Sequence, residues 1–343
     1  MSAPQARGRE ARRPQDIPPR GWWDILRRVL KRLGSDNVTL VAGGLAMYSL
    51  LSVFPGLAAA VSIYGLFATP AEVTKHLSVF AGILPPGVWD IFNTQLQTVT
   101  LHTQRTLSVA AGIGLILALW SARSAMSGLM TATNIAYAEA EKRSFFVQIL
   151  ISLVLTGAAI LGFLALLVLG VAVPGALHIL GTATWAQWAA DGLQWALLWC
   201  LAVLGLAFVY RYAPARERAR WQWVTWGSAT AATLWLATSA LFALYVRSFA
   251  NYGKTYGALG GVIALLMWFY LSSILVVLGA EINAEMERQT RRDTTEGPEA
   301  PLGQRGAYAA DTIGPSAGER DSPTQDTRRN LRSRGEGLQE KLP

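Results

Sequence analysis

Over its 343 residues the chain is 52% hydrophobic and only 15% charged, well below the roughly 25% of charged residues in soluble domains. This excludes an ordinary soluble domain and points to a bilayer. The net charge of +8 is informative through its placement along the chain. The one cysteine, Cys200, cannot form an intramolecular disulfide, and no zinc-type Cys/His spacing exists. Cys200 reads as a small buried apolar residue.

In chain order, residues 1–36 form a basic N-terminal segment. Within it, residues 21–33 repeat apolar residues at Trp22, Leu26, Val29, Leu30 and Leu33, opposite Arg27, Arg28, Lys31 and Arg32. The pattern predicts an amphipathic helix lying on the inner leaflet. The first apolar run starts near Val38. That is too far in, and the run too long, for a signal-peptide core, so no cleavable leader is expected.

Six apolar segments follow, at about 38–68, 106–134, 145–173, 190–211, 222–246 and 257–281. The last belongs to a stretch of 26 uncharged residues, 255–280, which as a helix reaches about 39 Å against a bilayer core of roughly 30 Å. Between the third and fourth segments a Pro-Gly break after Val173 and small polar residues predict an external connection. The long first connection, 69–105, holds two amphipathic pieces, around 73–80 and 88–99. With six spans, 25 of the Lys/Arg fall on one side and four on the other, Arg123 lying within a span. The positive-inside rule then puts both termini in the cytoplasm. The chain thus divides into a cytoplasmic N-terminal segment (1–36), a six-helix transmembrane domain (37–286) and a cytoplasmic tail (287–343). The tail, from about Thr290, is rich in Arg, Asp, Glu, Gly, Ser, Thr and Pro and is expected to be disordered.

The search for chemistry finds no catalytic, cofactor or metal motif. Gly253, Lys254 and Thr255 resemble the end of a phosphate loop, but Ser248 stands where its first glycine belongs and no strand precedes it. His76, His102 and His178 have no ligand-spaced partner. Basic charge is accounted for by orientation, so no nucleic-acid partner is expected. What remains is polarity within the membrane. Arg123, the one ionisable group inside an apolar span, is flanked by Ser121, Ser124 and Ser127, with Asn134 further along; it either faces an interior path or snorkels to the surface. Tyr48 and Pro55 lie in the first span, where Pro55 frees a backbone carbonyl and kinks the helix. Gly56 and Ala60, and Gly257 and Gly261, permit close helix approach.

The last span resembles the end of the YihY/BrkB family of bacterial inner-membrane proteins. Tyr256, Gly257, Leu259, Gly260, Trp268, Tyr270, Leu271, Ser272, Gly279, Ala280, Glu281 and Asn283 carry the likeness. Residues 45–56, 121–137 and 210–235 are similar to the family's first span, second-span end and fourth connection with fifth span; Met47 replaces an expected tyrosine. The resemblance implies six transmembrane helices with both ends inside. It does not settle an activity, since members are labelled ribonuclease BN, virulence or serum-resistance factor, or transporter. The expectation is an all-α, multi-pass inner-membrane protein in contact with the lipid bilayer. It is read as moving an amphiphilic or lipid-like solute, with Arg123 holding an anionic headgroup. The alternatives are a non-transporting membrane scaffold that recruits partners through its tails and, third, the family's ribonuclease label.

Overall fold

A backbone inside a bilayer has to satisfy its own N–H and C=O groups, and the long apolar runs accordingly become helices. The structure, a computed structural model, describes residues 7–64, 109–179, 184–248 and 258–316. Its helices are α1 (Pro19–Ser35), α2 (Val38–Tyr64), α3 (Val109–Ala136), α4 (Phe145–Ile179), α5 (Thr184–Tyr212), α6 (Trp221–Ser248), α7 (Ala258–Glu287) and the single turn α8 (Tyr308–Asp311). The fold class is all-α, as expected. Six of these helices, α2 to α7, are long. By length and composition four stretches among the described residues can cross a membrane, in α4, α5, α6 and α7. A fifth counts if α1 and α2, bent by 67° from each other, form one broken span.

Each long helix packs on its neighbours in sequence, and α7 closes the bundle by packing on both α6 and α2. Exposed leucines, valines and tryptophans such as Leu150, Leu161, Leu204 and Trp195 cover the outside, as a lipid-facing surface requires. Cys200 is also exposed on α5, which corrects its expected burial: the outer face of a span tolerates a small apolar side chain as well as the core does.

The α6–α7 contact is made by two glycines. A Cβ on Gly227 would lie 2.2 Å from the Gly279 carbonyl oxygen and 2.4 Å from Asn283 Oδ1, and one on Gly279 would lie 2.4 Å from Tyr210 Oη. The backbones approach closely because neither residue has a side chain. Tyr210 uses the space to donate a 2.7 Å hydrogen bond to the Val276 carbonyl.

Three expectations change. The helix at 145–173 continues through the Pro-Gly pair to Ile179, and α5 begins at Thr184, so the connection between them is short. The amphipathic helix α1 forms, but its buried face is Gly21, Asp24, Ile25, Arg28 and Val29. Leu26 and Leu30 are exposed. Of its basic side, Arg28 and Arg32 turn toward the carboxylates of α7, while Arg27 and Lys31 are exposed. The tail is the third. From Thr290 to Ser316 it follows a defined path, with Thr294, Ala309 and Ala310 buried and residues 296–304 largely exposed. Backbone bonds from Arg220 N–H to the Thr294 carbonyl and from Glu296 N–H to the Arg218 carbonyl lay it along the connection between α5 and α6. Arg305 fills four carbonyls, of Ala300, Arg292, Ala310 and Arg291. Composition implied disorder because few apolar residues are present; hydrogen bonds from arginines supply the fixation instead. Residues 317–343 and both amphipathic pieces of 69–105 lie outside the described residues.

Gly227→Ala and Gly279→Ala are expected to destabilise the bundle by about 1–3 kcal/mol, the usual cost of overpacking. Gly157, whose Cβ would meet nothing within 4 Å, is the control: Gly157→Ala should leave the thermal unfolding midpoint in detergent unchanged or raised.

Candidate functional site

The polar end of the bundle is built on the last turns of α7. Glu281, Asn283, Glu285 and Glu287 are all without solvent exposure. Asn283 accepts a 2.8 Å bond from Gly227 N–H and donates to the Val224 carbonyl at 3.1 Å, locking α6 to α7 just beside the glycine contact. Glu285 receives Arg28 from α1 and Arg288 at 2.6 Å, and Arg32 at 3.4 Å. Arg32 Nε also sits 3.2 Å from Glu281 Oε2, although neither Glu281 oxygen has a hydrogen-bond donor in line. Glu287 is gripped by both terminal nitrogens of Arg216, at 2.9 and 2.6 Å, and by Thr294 Oγ1 at 2.6 Å. Arg216 in turn lies 4.9 Å from the centre of the Tyr137 ring.

Asn134 closes the same end from α3. Its Oδ1 accepts from Ala215 N–H at 2.7 Å and its Nδ2 donates to Glu141 at 3.0 Å. Glu141 also takes a forked pair of 2.7 Å bonds from Arg143, which reaches on to the Ala213 carbonyl. Hydrogen bonds from the Arg143 side chain hold the Glu141 carboxyl down to about 2. In the packed tail, burial acts to raise Asp293, but hydrogen bonds from Ala300 and Thr295 outweigh it and keep its carboxyl below the ordinary range.

Arg123 lies elsewhere, about 20 Å from either end of α3 at ~1.5 Å per residue. Its guanidinium stacks 4.2 Å over the Trp120 ring. Its Nε is buried without a hydrogen-bond partner, and it makes no ion pair among the described residues. Beside it, Ser52 of α2 inserts into α3. The Ser52 hydroxyl donates to the Ser121 carbonyl at 3.3 Å and accepts from Ala125 N–H at 3.1 Å, the two ends of one helical i→i−4 pair. Side chains inserted this way loosen a helix. Pro55, three residues on, lies inside α2. Ser124 is partly buried, while Ser121 and Ser127 are exposed. Tyr48 is half exposed, its ring against the α3 backbone at Gly128.

The expected residues thus fall into two places. Glu281, Asn283 and Asn134 meet at the polar end; Arg123, Ser124, Pro55 and Tyr48 gather at the α2–α3 crossing. Gly260 lies in the first turn of α7, and Tyr256 and Gly257 lie outside the described residues. Sequence reasoning missed Arg28, Arg32, Arg216, Glu287 and Ser52. One signal was available: Arg28 and Arg32 on α1, and Glu281 and Glu285 on α7, share the i,i+4 spacing that aligns side chains along one helix face. Among the described residues no three His, Cys, Asp or Glu are grouped to hold a metal.

A closed ring of long apolar helices, sealed at one end by buried ion pairs, defines an integral membrane protein of the multi-pass helical-bundle class. The chain belongs to the family described as Virulence factor BrkB, which matches residues 29–303. It is similar to YfkH of Bacillus subtilis, named as ribonuclease-like, with 32% identity over 72% of this chain and 89% of that protein. It is similar also to a UPF0761 membrane protein of Vibrio parahaemolyticus, at 31% identity over 76% of this chain and 81% of the relative. Another relative of that name, from Idiomarina loihiensis, is 25% identical over 75% of this chain and 88% of its own. No solved structure matches. With its membrane-length apolar helices, the chain is a multi-pass protein of the bacterial inner membrane.

Removing one partner of a buried ion pair leaves an uncompensated charge. Arg216→Met is therefore expected to cost about 3–5 kcal/mol, and Arg216→Met combined with Glu287→Met to recover most of it. Thermal unfolding of the two single variants and the double variant tests this; additive losses would mean the pair is not coupled.

Proposed function

We propose that this protein carries an anionic amphiphile or lipid-like solute across the inner membrane, and that Arg123 receives its headgroup. One observation supports this above others: a guanidinium at mid-depth of a long helix, with a buried donor unsatisfied and, among the described residues, no carboxylate against it. A charge so placed is costly and marks substrate paths in membrane proteins. At about 20 Å from either helix end, Arg123 is too deep for its side chain alone to return the charge to water. Trp120 offers its ring face as partial compensation, and a phosphate or carboxylate would complete it with a bidentate contact. The loosening of α3 by Ser52 and of α2 by Pro55 falls at the same level, which suits irregular backbone lining a cavity.

The same reading takes the bundle as six spans with its polar end in the cytoplasm, which is supported by the 25-to-4 division of Lys/Arg. A reporter active only outside the cytoplasm, fused at Glu340, should then be silent; strong activity would refute the orientation.

The transport reading is tested by flux of a fluorescent anionic lipid across proteoliposomes holding equal amounts of protein. Arg123→Ala should abolish flux, and Arg123→Lys should restore it only in part, because lysine keeps the charge but loses the planar fork. Equal flux from all three removes Arg123 from the path. No flux from the unaltered protein favours a membrane scaffold that does not transport.

A further inference from the structure

The outer face of α4 leads into a second basic site, whose lining does not include Arg123. Phe146, Leu150 and Val154 follow one another at four-residue intervals and are 81%, 62% and 56% exposed, so they form a continuous apolar stripe. Toward α5 the stripe enters a cavity of about 720 Å³. Leu150, Val154 and Phe208 make its apolar floor, and Lys142, Arg143 and Arg218 stand at its polar rim. Val154 is about 14 Å along α4 from Phe145 at ~1.5 Å per residue, so the cavity spans the transition from charged end to apolar layer.

Its charges are of two kinds. Arg143, Arg211 and Arg216 are each neutralised, by Glu141, Glu296 and Glu287. Lys142 is held only at 3.7 Å from Glu139 and its side chain is 68% exposed. Arg218 is exposed and makes no ion pair among the described residues; its guanidinium rests 5.1 Å over the Tyr212 ring. The carboxylate among the lining residues is Glu217.

We propose that this cavity seats one anionic glycerophospholipid from the adjoining leaflet, its phosphate on Arg218 and Lys142 and its acyl chains along Leu150 and Val154. A guanidinium already held over an aromatic ring presents its fork to phosphate with little further ordering. Basic pockets between helices at a leaflet surface suit acidic headgroups. A soluble phosphate would leave the apolar floor uncovered, and a peptide would set its backbone polar groups against that floor without partners. The acyl chain meets both conditions, because the lower half of the site is continuous with the lipid-facing stripe. The site is independent of transport: it requires the bundle to sit in a bilayer and nothing of Arg123.

Native mass spectrometry of the full chain, released from detergent with phosphatidylglycerol or phosphatidylcholine added, tests the assignment. The intact protein should retain phosphatidylglycerol preferentially. K142Q/R218Q should lower that preference roughly tenfold or more, as expected when two leaflet-surface cations are removed. Glycerol 3-phosphate should not displace the lipid. Val154→Trp, which fills the acyl groove and leaves every charge in place, should weaken retention of phosphatidylglycerol, and serves if the double variant fails to fold. Equal retention of the two lipids, an undiminished preference in K142Q/R218Q, or undiminished retention in Val154→Trp overturns the site. Displacement by glycerol 3-phosphate overturns it in favour of a soluble phosphate ligand.

Discussion

Carboxylates at the end of an apolar helix can be buried only if cations meet them, and the polar end of this protein is arranged around that requirement. Glu281, Glu285 and Glu287 all have 0% exposure. Desolvating them alone would cost several kcal/mol each. The cations come from three directions. Arg28 and Arg32 are brought by α1, Arg216 by the connection between α5 and α6, and Arg288 by the turn beyond α7. This explains why α1 lies at 67° to α2 and packs on α7. The turn that allows the bend passes through Asn37, which adopts a positive φ of 49°, a conformation asparagine tolerates better than most residues. It also explains how a stretch with few apolar residues, from Thr290 to Ser316, is held against the bundle. Thr294 donates to Glu287, and Thr312 and Gly314 bind Arg288 through its side chain and its carbonyl.

Small residues decide a second contact, and they act together with the ion pairs. Gly227 and Gly279 let α6 and α7 touch by their backbones, which brings Asn283 within reach of Gly227 N–H and the Val224 carbonyl. One helical turn further, Glu287 meets Arg216. Van der Waals packing dominates where water is absent, and charge pairing takes over where the helix reaches the polar end. Neither contact would be in register without the other.

The helices were legible in the sequence because a bilayer imposes length and apolarity on every segment that crosses it. The family motif was legible too, including Glu281 and Asn283, but its role was not. Glu281, legible only as a position in that motif, is part of a buried cluster. The reason is that hydropathy counts charges one segment at a time. It cannot see that Arg28 and Glu285, separated by 257 positions, neutralise each other. The same blindness produced the error in the tail. Arg305 is one charged residue in a polar stretch by composition, whereas in the fold it satisfies four backbone carbonyls. On α1, electrostatics decides which of the basic residues turn inward. Leu26 and Leu30 remain outside, where lipid contact costs them nothing, and Arg28 is drawn in.

The arginines therefore divide by what compensates them. At the polar end Arg28, Arg32, Arg216 and Arg288 are matched with carboxylates, so their burial is a closed account among protein groups. Among the described residues Arg123 is compensated by the face of Trp120 and by no carboxylate. A cation–π contact is worth about 0.5–2 kcal/mol, less than the several kcal/mol that desolvating an ion costs. The remainder persists in the ligand-free state. In the proposed transport role, an anion that reaches Arg123 would recover it, so part of the binding free energy would come from relieving the protein. That recovery is real only if the anion has already lost much of its own water, because a fully hydrated ion gives up as much in desolvation as it gains. An amphiphile satisfies this condition better than a small inorganic anion. Its apolar portion contributes burial that offsets the headgroup's dehydration at about 25 cal/mol per Å². On the transport reading we propose, the chemistry of Arg123 thus favours a solute with a charged head and an apolar body, independently of the apolar character of the helices around it.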